Sequence, residues 1–350
     1  MKYAIVLSSL VVGASALWAC GADSEVPAPA GGDAGLIDGG GGGPSAEDTG
    51  TPTGDDAGSD AAPGDRLQTV FIIMMENHNW ATVKSAPYLS SLAALGGHAE
   101  NYTTPLHPSE LNYVWLEAGE ALGITDDKEP SKNHQATTKH LSTMLDAAGI
   151  SWRAYVEDIP GTSCPLADNG HFVTRHVPQL FFDDVTNTND VAAAKCIQHI
   201  RPYSELATDI ANNTLPRYAL ITPNLCHDMH GDVLSLSGCG YLDSTKIADG
   251  DTWLQAEVPK ILDSSAYKNN GVLFIWWDEG DSALNPLANA SDGPIPLVVL
   301  SPKAKPGYSS PTAFTHSSML RTLQEIFGVT PLLGGAAGAT NLSEFFTSFP

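Results

Sequence analysis

Four short segments of this 350-residue chain hold side chains that can bind a cation or move a proton. Glu76-Asn77-His78-Asn79 and Asp278-Glu279-Gly280-Asp281 each follow an uninterrupted apolar run. Carboxylate and amide oxygens delivered by two such runs can converge on a hard divalent cation. In the third segment, 223–232, His227, Asp228, His230 and Asp232 stand within six residues. The fourth is Thr315-His316-Ser317-Ser318, at the start of an amphipathic stretch. A hydroxyl for nucleophilic attack is available in His107-Pro108-Ser109-Glu110-Leu111-Asn112-Tyr113. There a Ser opens a helix, whose N–H groups and dipole favour a phosphoryl group, and a bound metal can lower the proton affinity of such a hydroxyl.

Such residues need a frame. Residues 69–75 and 271–277 are continuous apolar runs rich in β-branched and aromatic side chains, as expected of strands buried on both faces. Further strands are expected over 151–156, 217–222 and 295–300. Helices are expected over 87–95, 111–119, 135–148, 245–262 and 314–327, several closed by Gly. Strands alternating with helices predict an α/β fold, an α/β/α sandwich around a mostly parallel sheet. In open sheets of that kind the reactive groups collect at the carboxyl ends of the strands, where the polar segments stand.

Composition narrows the partners. The net charge is −23 with 17 Lys and Arg, and about −14 of it falls on residues 66–350. No basic footprint for nucleic acid or polybasic stripe for anionic lipid is present. No nucleic-acid partner and no obligate protein partner is expected. After Cys20 the cysteines are Cys164, Cys196, Cys226 and Cys239. In an exported chain they suggest two disulfides. Three pairings are open, and the sequential one, which closes two local loops, is expected.

ENHN after the first strand, the PNLCHDMH segment, WDE after a buried strand, and THSSMLRTLQEIFG near the end together resemble the bacterial phosphoesterase family. That family takes in secreted acid phosphatases, phosphoinositide phosphatases and phospholipase C enzymes. The likeness runs over about 70–328. Ser85-Ala86-Pro87-Tyr88, Val156-Glu157-Asp158-Ile159-Pro160 and Arg175-His176-Val177-Pro178 bring it nearest to the acid phosphatase and phosphatidylinositol-3-phosphatase branch. His107–Tyr113 also resembles the nucleophile loop of nucleotide pyrophosphatase/phosphodiesterases, with Ser109 where Thr attacks phosphorus and Asn112 three residues on.

The resemblance implies an alkaline-phosphatase-like fold and a metal-dependent phosphoesterase, most simply an acid phosphatase working through a phosphoserine. Glu76, Asn77, Asp278 and Glu279 are then expected to hold a divalent cation beside Ser109. Asp228, His230 and His316 hold a second one, or place the attacking water and protonate the leaving oxygen. His107 and Asn112 are expected on the non-bridging oxygens. Asp278-Glu279 stands where an Asp-His pair is usual in the two-metal superfamily, which leaves one or two ions open. Ca²⁺, Mg²⁺, Mn²⁺ and Zn²⁺ all suit these ligands. A phospholipase C-type diesterase and a non-catalytic surface-binding lipoprotein are the competing readings.

The chain begins with a secretory signal over 1–19, too short and wrongly flanked for a spanning helix. Leu17-Trp18-Ala19-Cys20 resembles a bacterial lipobox, which implies acylation of Cys20 and attachment to the cell envelope, on the outer membrane. Residues 20–65 follow as a Gly-, Ala- and Asp-rich tether with ten acidic residues and no Lys or Arg, a composition expected to stay disordered. The phosphoesterase domain is expected over 66–350.

Overall fold

A computed structural model describes residues 65–350 apart from 105, 232–238, 240–241 and 282–291. The signal, the lipobox Cys20, Asp232 and the tether as far as residue 64 lie outside the described residues. In chain order the strands are β1 (Val70–Met75), β2 (Gly97–Ala99), β3 (Trp152–Val156), β4 (Ile200–Pro202), β5 (Tyr218–Thr222), β6 (Val272–Trp277), β7 (Leu297–Leu300) and β8 (Tyr308–Ser310). The helices are α1 (Trp80–Val83), α2 (Pro87–Leu95), α3 (Ser109–Ala118), α4 (Pro130–Asn133), α5 (Leu141–Ala147), α6 (Asp183–Thr186), α7 (Ala194–His199), α8 (Ser204–Asn212), α9 (Asp243–Asp263), α10 (Ser265–Lys268) and α11 (His316–Phe327).

The strands form one sheet in the order β4-β3-β5-β1-β6-β7-β2-β8. Every pairing is parallel except β6 with β7 and β7 with β2, so β7 alone among the described strands runs the other way. β1, β5, β6 and β7 are buried at every residue, as a sheet covered on both faces requires. Each large apolar side chain fully buried there contributes about 1.5–3 kcal/mol. One group of helices, α3, α5 and α11, packs together, and α2, α8, α9 and α10 form another. This is the expected α/β/α sandwich around a mostly parallel sheet.

Three expected elements start two or more residues late in the structure, one of them the helix over 314–327, which begins at His316. The helix over 135–148 begins only at Leu141. Gln135 instead bridges to the chain at Phe182: its N–H donates to the Phe181 carbonyl at 2.7 Å, and its carbonyl accepts from the Asp183 N–H at 2.9 Å. His140, the residue before the helix, is itself extended, with φ −146°. The strand over 295–300 begins at Leu297, because Pro296 has no N–H to give a ladder. The three-residue strands β2, β4 and β8 were not expected, being too short to show a period. The cysteines are joined in sequential order, Cys164 to Cys196 and Cys226 to Cys239.

Candidate active site

Register brings the first two polar segments together. Met75 pairs with Trp277 across β1 and β6, so Glu76 and Asp278 leave adjacent parallel strands side by side. Asn77 follows with φ 43°, a left-handed turn that Asn tolerates better than most residues. That turn points its N–H at Asp278 Oδ1, at 3.2 Å, while its Nδ2 donates to Glu279 Oε1 at 2.9 Å. The loop after β5 closes on the same point. The Glu76 N–H donates to the Asp228 carbonyl at 2.8 Å. Inside this loop Asn224 Oδ1 accepts from the N–H groups of Cys226 and His227 at 3.0 and 3.2 Å. Glu157 steadies it from β3, taking the Asn224 N–H at 2.9 Å and facing His227 Nδ1 at 2.7 Å.

Ser109 is the first residue of α3, and Pro108 is the cap, so the hydroxyl is not taken by capping. Its Oγ donates towards Glu76 Oε2 at 3.2 Å and lies 3.4 Å from Glu279 Oε1. One turn on, Tyr113 donates its O–H to Glu76 Oε1 and stacks on His176, ring centroids 4.9 Å apart and planes nearly parallel. His176 Nε2 lies 3.2 Å from Glu76 Oε1 but outside hydrogen-bond geometry, and its Nδ1 lies 3.4 Å from Asp228 Oδ2. The last helix adds His316 as its first residue, behind a capping box of Thr315 and Ser318.

His107 and Asn112 stand elsewhere than expected. Both ring nitrogens of His107 lie against carboxylates, Nδ1 at 3.0 Å from Glu279 Oε2 and Nε2 at 2.7 Å from Asp292 Oδ2. These partners, Asp292 foremost, push its pKa up to about 10, so it is a fixed cation. Asn112 Nδ2 donates to the same Glu279 oxygen at 3.0 Å and to the Leu106 carbonyl at 3.2 Å. Both therefore orient Glu279 here, rather than facing open space as donors to phosphate. Glu279 in turn is surrounded on both oxygens, by Asn77, Ser109, Asn112 and His107. It is better suited to organising the site than to ligating. His230 binds its own loop, N–H to Asp228 Oδ1 at 2.7 Å and Nδ1 to the Gly231 carbonyl at 2.6 Å.

Charge in this space is unbalanced. Burial holds the Glu76 carboxyl well above its usual range, with the neighbouring Asp278 and Asp228 adding to it. Burial raises Asp228 likewise, and burial with the adjacent Glu279 raises Asp278. Burial raises Glu279 too, opposed by His107. His316 is pushed down to about 3 by burial, so it is neutral in use. Its Nε2 lies 2.7 Å from the Asp278 carbonyl, which can only accept, so the proton is on Nε2 and Nδ1 presents a bare lone pair.

By type the donor atoms suit a cation, although no three of the described carboxylate and imidazole donors around Ser109 lie within 4.8 Å of one another. Asn77 Oδ1, Asp228 Oδ2, Asp278 Oδ2, His176 Nε2 and His316 Nδ1 are all buried and lack a hydrogen-bond partner. Buried groups of this kind are normally satisfied, and leaving each one bare costs about 1–3 kcal/mol. Oxygen and imidazole lone pairs together suit a divalent ion, and the backbone carbonyl behind His316 is the usual support for a ligating imidazole. The described His, Cys, Asp and Glu trio whose donor atoms lie within 4.8 Å of one another is a different one, His171 with Cys226 and Cys239. It is no metal site, because those sulfurs are joined in a disulfide.

Of the expected site residues, Glu76, Asn77, Ser109, Asp228, Asp278 and His316 come together as the four segments implied. His176, Tyr113 and Asp292 were given no role in the sequence. His176 lies in the Arg175–Pro178 match, and Tyr113 lies four residues after Ser109 on one helix face, so both had a signal. Asp292 had none.

The sequence profile of the Phosphoesterase family matches residues 75–330. The phosphatidylinositol-3-phosphatase of Mycobacterium tuberculosis (strain ATCC 25618 / H37Rv) is 29% identical over 280 residues, covering 79% of this chain and 82% of that protein. A probable acid phosphatase of Kluyveromyces lactis is 26% identical over 290 residues, 80% of this chain and 63% of that one. An acid phosphatase of Aspergillus fumigatus is 24% identical over 284 residues, 78% of this chain and 58% of that one. The chain thus spans less than two thirds of the length of these acid phosphatases. Among solved structures, a protein of the alkaline phosphatase superfamily from Vibrio parahaemolyticus superposes with a TM-score of 0.54 at 11% identity, covering 79% of this chain and 70% of that one. The phosphonate monoester hydrolase of Silicibacter pomeroyi gives 0.51 at 12% identity, over 81% and 77%. The likeness to these two is one of fold. With the profile running from the end of β1 to just past α11, across every segment that meets at Ser109, the chain belongs to the Phosphoesterase family, hydrolases acting on phosphate ester bonds.

Proposed function

We propose that this protein is a phosphatase of phosphate monoesters that uses Ser109 as a covalent nucleophile. The observation that carries the reading is Ser109 Oγ at the start of α3, 3.2 Å from Glu76 Oε2, beside buried donor atoms without partners. Asn77, Asp278, Asp228, His176 and His316 would hold a divalent cation, which would offset the carboxylate charge and stabilise the nucleophilic oxygen. Ser109 Oγ attacks phosphorus, the bond from phosphorus to the leaving alcohol oxygen breaks, and the Ser109 proton passes to the Glu76 carboxylate that it faces at 3.2 Å. The helix N-terminus receives the non-bridging oxygens. The reading gives His230 the task of protonating the leaving oxygen and then activating water, because His316 is neutral above about pH 3 and cannot act as the acid. His107, protonated to about pH 10, opposes the rise that burial causes in Glu279 and holds its carboxylate in place.

The named relatives, a phosphatidylinositol-3-phosphatase and acid phosphatases, favour a monoester, with a phosphoinositide among the candidates. The enzyme would act from the cell envelope, held by lipid on Cys20. The test is turnover of p-nitrophenyl phosphate against bis-p-nitrophenyl phosphate by residues 66–350. Ser109→Ala should lower kcat at least a thousandfold while inorganic phosphate still binds. Mass spectrometry should find a phosphoserine at 109 after acid quenching. Preference for the diester would put the phospholipase C-type reading in its place. Near-normal kcat in Ser109→Ala would overturn the nucleophile, and turnover of neither ester would favour a surface-binding role.

A further inference from the structure

Arg175 lies beside this site and the reaction as proposed gives it nothing to do. It occupies the 3-10 turn Thr174–His176, next to His176 and against the start of α3. The side chain is 17% exposed, and its Nε is buried without a hydrogen-bond partner. Among the described residues two carboxylates come near it, Asp127 Oδ2 at 3.8 Å from Nε and Asp168 Oδ2 at 4.0 Å from Nη1. Neither is at hydrogen-bond length, and each has other work. Asp127 Oδ1 accepts the Glu110 N–H at 3.0 Å, fixing the first turn of α3. Asp168 Oδ1 takes the Thr174 N–H and hydroxyl at 2.7 and 2.9 Å, fixing the turn that carries Arg175 itself. Two acids that could have clamped a guanidinium instead hold the turn and the helix start, and leave its buried Nε without a partner.

A guanidinium is always charged, and its planar fork matches the paired oxygens of a phosphate or carboxylate. Its nearest contacts run toward the first turn of α3. It reaches Ser109 through Asp127 and the Glu110 N–H; its charge also acts on Asp228 and Glu110, while no hydrogen bond or ion pair joins it to Glu76, Asp228, Asp278 or Glu279 among the described residues. We infer that Arg175 is a specificity-determining residue that binds a second anionic group, carried on the alcohol that leaves. The inference rests on the monoester reading. It goes further by assigning the substrate class: monoesters bearing another phosphate or carboxylate, on a soluble polyol or on a lipid headgroup. Asp127 and Asp168 sharpen the choice by repelling an anion that does not meet the fork.

The test compares wild type with Arg175→Gln and Arg175→Lys. The first measurement is the ratio of kcat/KM for inositol 1,3-bisphosphate to that for p-nitrophenyl phosphate, which has no second anion. That ratio should fall at least tenfold in Arg175→Gln and only partly recover in Arg175→Lys, which keeps charge but loses the fork. Phosphatidylinositol 3-phosphate in phosphatidylcholine vesicles separates the sources. A larger fall there than with the soluble bisphosphate points to a lipid headgroup, and the reverse to a soluble polyol. An unchanged ratio, or an equal fall on all substrates with a lowered Tm, would overturn the inference. Should the wild type hydrolyse no monoester, the functional reading fails by itself. Calorimetric binding to Ser109→Ala then still decides the subsite, since loss of the preference for inositol 1,3-bisphosphate over inositol 3-phosphate on adding Arg175→Gln supports it and retention sinks it.

Discussion

His316 shows how little of a residue's role lies in its type. In the sequence it is a histidine at the mouth of a helix, equally at home as a capping neighbour. The structure gives it a tautomer, a bare Nδ1 and a buried place beside Asp278. If that lone pair serves a cation, His316→Ala and Asp278→Asn should each weaken binding of Mn²⁺ or Ca²⁺ by tenfold to a hundredfold. The readout is the rise in Tm as the cation is added to chelator-treated protein, which needs no turnover. In the wild type, chelator should lower Tm most at neutral and alkaline pH. Glu76, Asp228, Asp278 and Glu279 have raised pKa values, so the folded state binds more protons than the unfolded state and loses stability as pH rises. A Tm indifferent to every divalent ion would count against the donor set. Glu76, Asn77 and Asp278 were legible because motif and strand end coincide, and Ser109 because its motif coincides with a helix start. The true surroundings of His107 and Asn112 were not, because the carboxylates they meet arrive from beyond residue 278.

Between elements, a polar network joins α3, α5, α6 and α7. Glu117 accepts from Ser142 N–H and hydroxyl, both at 2.9 Å, and from Gln179 Nε2 at 2.9 Å. His140, the cap of α5, lies between Glu117 Oε2 at 3.4 Å and Asp184 Oδ1 at 2.8 Å. Lys195 reaches Asp184 at 2.9 Å. Burial pushes His140 down, but its bonds to Asp184 and Glu117 prevail and hold its pKa above 6.5. Asp184, against burial, is held below 3.8 by His140, Thr143 and Lys195. The His140 contribution is complete below about pH 6.5 and is lost as pH rises through its folded value. That of Asp184 is complete above about 3.8 and is lost as pH falls through its own. The network is therefore strongest between these limits, and Tm should decline above pH 6.5 by about 2–4 °C for each kcal/mol lost. His140→Gln should flatten that decline, and an equal slope in the variant would exclude the network as its cause. Nothing in the sequence announced it. The expected helix over 135–148 ran straight through His140, because local periodicity cannot register a pairing with Phe182.

At the scale of the molecule, the buried runs and the long helices gave the layered architecture correctly. The short strands at the sheet's two edges gave no signal, since three residues hold no period. The segment before residue 65 is a separate matter, and its prediction is biochemical. Cys20→Ser should move the protein from the membrane fraction to the soluble one with kcat unchanged, and persistence in the membrane would remove the lipid-anchor reading. Among the described residues no helix is long and apolar enough to cross a bilayer.

The strand order has a consequence in time. β1 is the first strand made, yet it lies in the interior of the sheet between β5 and β6, with Val70 paired to Tyr218 on one side and Val272 on the other. As the chain emerges, the run Val70–Met75 must wait some two hundred residues before its second edge is covered. Until then it is a bare apolar template of the sort that recruits other chains. Closing so long a loop is also slow relative to local structure. Folding should therefore be gated by the arrival of β6, and a chain halted near residue 215 should aggregate or bind a holding chaperone. One halted past 330 should fold. Release of soluble, protease-resistant protein from the shorter chain would show that β1 finds shelter earlier than the sheet provides.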